Sequence, residues 1–357
     1  MSATTAITGW PTQPKRGWLP GEIELDTITH VFSDGERAAL LELAVACRAD
    51  GLALEQITRE RFSHPRLDPV MSALQERLRQ GPGLVFLKNL PYAERPIDEI
   101  KLMYWGIGTH LGRAVSQNKF GEIMGEVRVR PDAIKNRAYG HSGALILHCD
   151  RIDMLSLFCV SKPVSGGANL FVSSLKIWDI IAEERPDLLP ALLEGYRQHR
   201  NGEQYPGEPA ATPYRAPIFA EVDGLRSALF SGNAVLSHQE QAFGDELTPH
   251  RREALEFLTA VRDRPELALR HTLELGEAVF INNYEILHNR EAFQDGETPE
   301  QKRLLLRLWL EGVPPRPKPA EMIIMRNPSG RQGMDPWPAE ALAAAAARQA
   351  EREKASA

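Results

Sequence analysis

The sequence predicts a mainly β domain with flanking helices, and three observations lead there. Short apolar runs, rich in Val, Ile, Leu and Phe and bounded by Gly, Pro or Asn, recur between Leu84 and Leu310. Gly166-Gly167 and Asp223-Gly224 are tight-turn dipeptides that reverse a chain into an antiparallel pair. Segments with a helical period lie beside these runs, where they would flank a sheet.

In chain order, residues 1–24 read as an extended arm, because Trp10, Pro11, Pro14, Trp18 and Pro20 break any helical period, and its tryptophans are expected to pack on the main body. Ser33-Asp34-Gly35-Glu36 opens an amphipathic helix with Leu40, Leu41, Leu43 and Ala44 on its inner stripe, and Asp68 to Leu78 reads as a second helix. Leu84 to Leu87 is a buried strand between Gly81-Pro82-Gly83 and Pro91, followed by a helix from Ile97 to Leu111. Residues 114–142, with only brief β-like pieces such as Val127-Arg128-Val129, form a long loop that covers a site. Ala144 to Leu147, Ile152 to Val160 and Asn169 to Val172 then read as strands. Ser174 to Leu193 is helical, with Pro186 and Pro190 as breaks, and Gly202 to Pro217 is a loop. Ile218 to Val222 and Ser227 to Phe230 flank the Asp223-Gly224 turn. A helix from Pro249 to Arg262 precedes strands near Leu269 to Leu275, Ala278 to Asn282 and Arg303 to Leu310. Residues 25–313 are taken as one domain, and residues 314–357 as a proline-rich segment and an Ala-rich helix or tail.

Composition narrows the partners. A chain of 357 residues, 43% hydrophobic, can bury a sizeable core. Its 42 basic and 48 acidic residues are well mixed, so no basic face of the kind that nucleic acid requires is expected. Cys47, Cys149 and Cys159 show no CxxC spacing and fit free thiols in a reducing cytoplasm. No apolar stretch is long enough for a membrane span. The expectation is a cytoplasmic protein with a small-molecule substrate, whose Trp-rich arm or C-terminal helix could build a homo-oligomer.

The chemistry-bearing residues are few. His148 and Asp150 are two apart on or beside a strand, so both side chains face one way and can reach one ion. His288 follows a turn and strand that would deliver its imidazole to a sheet end. Two imidazoles and one carboxylate occupy one face of an octahedral ion and leave three positions open. His238-Gln239-Glu240 is a second His-x-acid triplet, but it sits in a polar stretch without a strand before it. A core histidine with Asp150 paired to Arg151 or another cation is the structural alternative. In Arg303-Leu304-Leu305-Leu306-Arg307 the strand period puts both arginines on one face, where apolar surroundings would demand anions. A bidentate carboxylate is the natural partner, and an edge strand with both arginines in solvent is the other arrangement allowed.

The set His148-x-Asp150, Gly166-Gly167-Ala168-Asn169, Asn283 through His288-Asn289-Arg290, and Arg303 to Arg307 within LLLRLWL resembles the TauD/TfdA family of Fe(II)- and 2-oxoglutarate-dependent dioxygenases, over about residues 117–311. The resemblance implies a double-stranded β-helix, or jelly roll. It implies His148, Asp150 and His288 as iron ligands, Arg303 on the distal carboxylate of 2-oxoglutarate, and Arg307 near its C1 carboxylate or an anionic group of the substrate. Taurine dioxygenase-like members place a threonine after the Gly-Gly pair to help bind the cosubstrate; here Asn169 occupies that place, and its amide can donate instead. Related halogenases replace the carboxylate ligand with a small residue, so Asp150 argues against halogenation. Ser116-Gln117-Asn118 resembles a loop over the active site, which makes Gln117 and Asn118 candidate substrate contacts, or polar residues of a solvated loop. Ser231, Gly232 and Asn233 sit where the family varies with substrate, and Tyr139 and His141, just before the metal strand, are further candidates at the mouth.

The implied reaction consumes O2 and 2-oxoglutarate, releases succinate and CO2, and oxidises an unactivated C–H bond by hydroxylation, desaturation or cyclisation, with substrate positioning deciding the outcome. A small carboxylate-bearing substrate, an amino acid or derivative, suits Arg307 and the Gln117 loop; a sulfonate or aryloxyalkanoate is the catabolic alternative. A non-catalytic metal or carboxylate sensor would bind without turnover. A zinc hydrolase would want a water-activating glutamate as in HExxH, which the sequence lacks.

Overall fold

The computed structural model describes residues 9–11, 15, 17–130, 140–230, 247–325 and 332–355. In chain order the main elements are β1 (Thr29–Val31), α1 (Asp34–Ala49), α2 (Asp68–Arg79), β2 (Leu84–Lys88), α3 (Ile97–Leu111), β3 (Arg113–Ala114), β4 (Met124–Val127), β5 (Met154–Ser161), β6 (Ser165–Gly166) and β7 (Asn169–Ser173). They continue with α4 (Ser174–Glu184), α5 (Leu189–Glu194), β8 (Phe219–Val222), β9 (Leu225–Ala228), α6 (Pro249–Arg262), β10 (Ala268–His271), β11 (Ala278–Asn282), β12 (Ile286–His288), β13 (Phe293–Gln294), β14 (Leu304–Glu311) and α7 (Ala339–Ala355).

Strands β1, β2, β11, β5, β14 and β3 hydrogen-bond in that order into a large mixed sheet, with β4 also on the free edge of β14. A smaller sheet runs β10-β7-β12. It is prolonged by an antiparallel bridge between His288 and His148, and Cys149 N–H in turn reaches Phe230 O at 2.8 Å. The alternation of β14 shows how the layers form. Leu306, Leu308 and Leu310 point to the helices α1 to α3, while Leu305 and Trp309 point to the cluster between the sheets, where Phe171 and Ile286 of the smaller sheet meet Leu155, Leu157 and Ile281 of the larger. The outer face of the smaller sheet, Val172 and Leu287, packs on Ile177, Ile181, Leu255 and Leu258 of α4 and α6. Each such fully buried side chain is worth about 1.5–3 kcal/mol, so a one-residue register slip in β14 would exchange leucines for arginines and is strongly disfavoured.

Local chemistry sets the helix boundaries. Ser33 and Glu36 form the expected capping box of α1, with Ser33 N–H donating to the Glu36 carboxylate at 2.8 Å; Leu40, Ala44 and Cys47 are its buried stripe, while Leu41 and Leu43 lie on its flanks. α6 spans the expected residues because Thr248 caps it and Pro249 takes its first position. The helix expected over 174–193 is interrupted before Pro186 and resumes as α5 with Pro190 in its first turn. Asp223 and Gly224, both at positive φ, make the expected hairpin turn.

Three strand expectations are corrected. Residues 144–147 form no strand: the Ile146 carbonyl is engaged by His148 Nδ1 at 2.8 Å, so only the single His148 bridge remains. The strand expected over 269–275 ends at His271, where the chain turns towards Gly276 at positive φ. His288 ends its own short strand, β12, which periodicity over three residues could not announce. Trp10 and Trp18 pack on the body as expected, donating to Pro314 O at 2.9 Å and Pro82 O at 3.0 Å. No helix of the described residues is long and apolar enough to cross a membrane.

Candidate metal centre

His148, Asp150 and His288 converge where the smaller sheet meets β14, with one ligand atom of each lying within 4.8 Å of the others. The reciprocal backbone bonds of the His148–His288 bridge, 3.0 and 2.8 Å, set the two imidazoles side by side, with ring centroids 4.5 Å apart. His148 Nδ1 lies 2.8 Å from Ile146 O and must donate to it, which leaves Nε2 as the free lone pair, 3.7 Å from Asp150 Oδ1. Burial, and then the neighbouring His148, lower His288 to about 3 against the pull of Asp150, so the His288 imidazole is neutral and able to ligate. Burial would raise the Asp150 carboxyl, but Arg307, His288 and His148 and the Trp309 N–H outweigh it and hold it at about 2. Two imidazoles and one carboxylate are the donor set of a divalent transition metal, and they fit one.

The backbone that carries the carboxylate is clamped. Asn283 Oδ1 accepts from Asp150 N–H at 3.1 Å, and its amide donates to Asp150 O and, at 3.1 Å, to Ile152 O. Trp309 Nε1 donates to Asp150 Oδ2 at 2.8 Å, and Arg307 Nη1 lies 3.6 Å from the same oxygen.

Arg303 and Arg307 are both buried, 3% and 6% exposed, so the solvent-exposed edge arrangement does not hold. Arg307 is tied into the site by Nε to Gln117 Oε1 at 2.7 Å. Among the described residues no carboxylate side chain pairs with the Arg303 guanidinium; it reaches Val127 O at 3.5 Å and lies 5.3 Å from the centre of the Phe293 ring. Arg290, equally buried, stacks on the same ring at 4.7 Å and leaves Nε and Nη1 without partners. Burial, and then Arg290, lower Arg303 to about 9. Two such cations on one ring are chemically matched to the carboxylate end of a dicarboxylate.

The remaining expected residues fall as follows. Gln117 is buried and its amide is committed, donating to Arg307 O at 2.8 Å and Ile123 O at 3.2 Å, so it orients Arg307. Asn118 organises its own loop, with Oδ1 accepting from Phe120 N–H at 3.0 Å and Nδ2 donating to Glu122 at 2.7 Å. Asn169 Nδ2 donates to Asn289 O at 2.8 Å and ties β7 to the chain just after His288. His141 is exposed, and its carbonyl accepts from Arg290 at 2.7 Å. Tyr139, Ser231, Gly232, Asn233 and the competing His238-Glu240 pair lie outside the described residues. Sequence reasoning passed over Trp309 and gave Arg290 no role of its own; for Trp309 the signal was available, since it is two residues beyond Arg307 on the same inward face.

Two imidazoles and one carboxylate, three donors rather than the four that close a structural metal site, are the set of the mononuclear non-haem iron oxygenases. Sequence comparison carries this from class to family. The chain belongs to the TauD/TfdA family: the profile described as "Taurine catabolism dioxygenase TauD, TfdA family" matches residues 51–309, and the protein is an Fe(II)/2-oxoglutarate-dependent dioxygenase. Among its relatives is the FR-33289 synthase of Streptomyces rubellomurinus, 28% identical over 307 residues, which are 84% of this chain and 90% of the relative. Asparagine oxygenase, solved with Fe(II), 3-hydroxyasparagine and succinate, superposes with a TM-score of 0.62 at 17% identity, covering 79% of this chain and 93% of that one. The iron oxygenase OrfP, solved with Fe and alpha-ketoglutaric acid, gives 0.61 at 15% identity over the same shares. These two likenesses show a shared fold.

Proposed function

We propose that His148, Asp150 and His288 hold Fe(II), that Arg303 seats the distal carboxylate of 2-oxoglutarate, and that the enzyme oxidises an unactivated C–H bond of a small carboxylate-bearing substrate, an amino acid or derivative. In this reading the two facing sheets are a double-stranded β-helix, formed within a single domain over residues 25–313. The observation that carries it is the convergence of three ligand atoms within 4.8 Å, with the buried Arg307 against Asp150 and the buried Arg303, which no described carboxylate side chain pairs, four residues before it. Bound together, the iron and the keto acid supply the oxidising chemistry, releasing succinate and CO2. The chain's own residues bind and orient. Arg307, fixed by Gln117, faces the metal site with its charge and is suited to the C1 carboxylate of the cosubstrate or an acidic group of the substrate. The amino-acid class draws support from the asparagine oxygenase likeness, whose bound product is a hydroxylated amino acid.

An anaerobic titration of metal-free protein with Fe(II) and then 2-oxoglutarate tests the reading. A visible charge-transfer band present in the wild type and absent in His148→Ala is expected, followed by amino-acid-stimulated succinate release in air. No band with iron verified as bound would refute the assignment.

A further inference from the structure

The two oxygens of Asp150 have unlike surroundings. Oδ1 faces His148 Nε2 across 3.7 Å, in the direction of the proposed metal. Oδ2 accepts the indole N–H of Trp309 at 2.8 Å and has Arg307 Nη1 at 3.6 Å. We propose that Trp309 is a positioning residue: its N–H reserves Oδ2 and leaves Oδ1 as the single carboxylate oxygen that binds the metal. The proposal rests on the ligand reading above.

Trp309 is built to hold this place. It is 3% exposed, its carbonyl accepts Val115 N–H at 3.0 Å, its backbone is paired in register with Leu155, and the Arg307 guanidinium lies 5.2 Å from its ring. A donor so held cannot follow Oδ2 if the carboxylate turns. Arg307 does not replace it, since 3.6 Å is an ion pair rather than a hydrogen bond and its Nε is engaged by Gln117. The consequence is one of counting. Two imidazoles and one carboxylate oxygen leave three octahedral positions, enough for a bidentate keto acid and O2 together. A chelating carboxylate would leave two, and cosubstrate and O2 would compete.

The test compares wild type, Trp309→Phe, Trp309→His and His148→Ala by Co(II) titration of metal-free protein and by the anaerobic Fe(II)–2-oxoglutarate band. Trp309→Phe is expected to bind Co(II) at least as tightly as wild type, because the freed oxygen can add a bond, while its Kd for 2-oxoglutarate rises about ten-fold, the scale of one charge-assisted hydrogen bond. Trp309→His, which keeps a ring N–H, is expected to recover part of that affinity. Loss of Co(II) and cosubstrate affinity together without recovery in Trp309→His would mean general structural support and overturn the proposal, as would no change in either. Indole-15N-labelled wild type gives a readout that needs no variant: every indole N–H protected from exchange in the metal-free protein must stay protected when Zn(II) binds, and release of one overturns the proposal. If wild-type Co(II) binding survives His148→Ala, the ligand reading falls and takes this proposal with it. If it is lost in His148→Ala while Trp309→Phe matches wild type throughout, Trp309 alone is wrongly placed.

Discussion

Arg303→Met should move stability and cosubstrate binding in opposite directions. The guanidinium is buried, pairs with no described carboxylate and stands near the equally buried Arg290. Its fall from the ordinary arginine range to about 9 corresponds to roughly 5 kcal/mol at 1.36 kcal/mol per pH unit, the upper bound of what holding this charge costs the folded protein. The sign follows from linkage: the folded value is depressed for a base, so the cost is present in full below about pH 9 and vanishes only as pH rises through the ordinary arginine range. Methionine keeps the apolar stem and removes the charge, so the ligand-free protein is expected to gain on the order of 1–4 kcal/mol, read as a rise of a few degrees in Tm at pH 7. The same change removes the partner of the distal carboxylate. Truncating one side of a buried charged pair costs about 2–5 kcal/mol, so the 2-oxoglutarate Kd, read from the charge-transfer band, should rise at least about 30-fold, and the stabilisation that 2-oxoglutarate confers on the wild type should disappear. Fe(II) affinity should change little. A ligand-free variant that melts below wild type and keeps its 2-oxoglutarate affinity would refute the reasoning.

Other expectations are more local. His238→Ala should retain iron-dependent turnover that His148→Ala and Asp150→Ala abolish; the reverse pattern in succinate release would transfer the metal to the other triplet. Gly125→Ala would place its Cβ 2.8 Å from Gln117 Oε1 and push that amide off Arg307, so activity should fall several-fold in a protein whose thermal unfolding is little altered. Unchanged steady-state kinetics would show that Gln117 does not set the pose of Arg307. Burial would raise Glu277, but His271, the Glu274 N–H and Lys88 together hold it at about 2. Because this carboxylate is depressed from 4.5, it contributes stability above that value and loses it as pH falls towards 2, on the order of 3 kcal/mol in all. Denaturant titrations of wild type and Glu277→Gln should therefore diverge most near pH 6 and converge near pH 2.5; parallel curves would exclude the linkage.

Much of this protein was legible along the chain because its rules are local. The capping box at Ser33 and Glu36, Thr248 and Pro249 at the start of α6, and the breaks at Pro186 and Pro190 act over three or four residues. Spacing alone placed His148 with Asp150, and Arg303 with Arg307, although the chain at His148 makes only a single bridge and Arg303 stands just before β14. Where that period had too few residues to show itself, as in β12, or where a side chain took a backbone acceptor, as His148 does from Ile146, the strand expectations failed.

The sequence by itself determined the donor types, their spacing, the inward face of the arginine strand and the family to which they point. Only the tertiary structure decided which oxygen of Asp150 is reserved, by a tryptophan 159 residues away; that Gln117 spends its amide on Arg307, 190 residues away; and that Arg290 stands as a second buried cation on Phe293, with Nε and Nη1 unmatched. Such contacts carry no period and no local spacing. They exist because two packed sheets bring distant segments into hydrogen-bond range, and the energy that selects them is the cost of leaving buried polar groups unmatched.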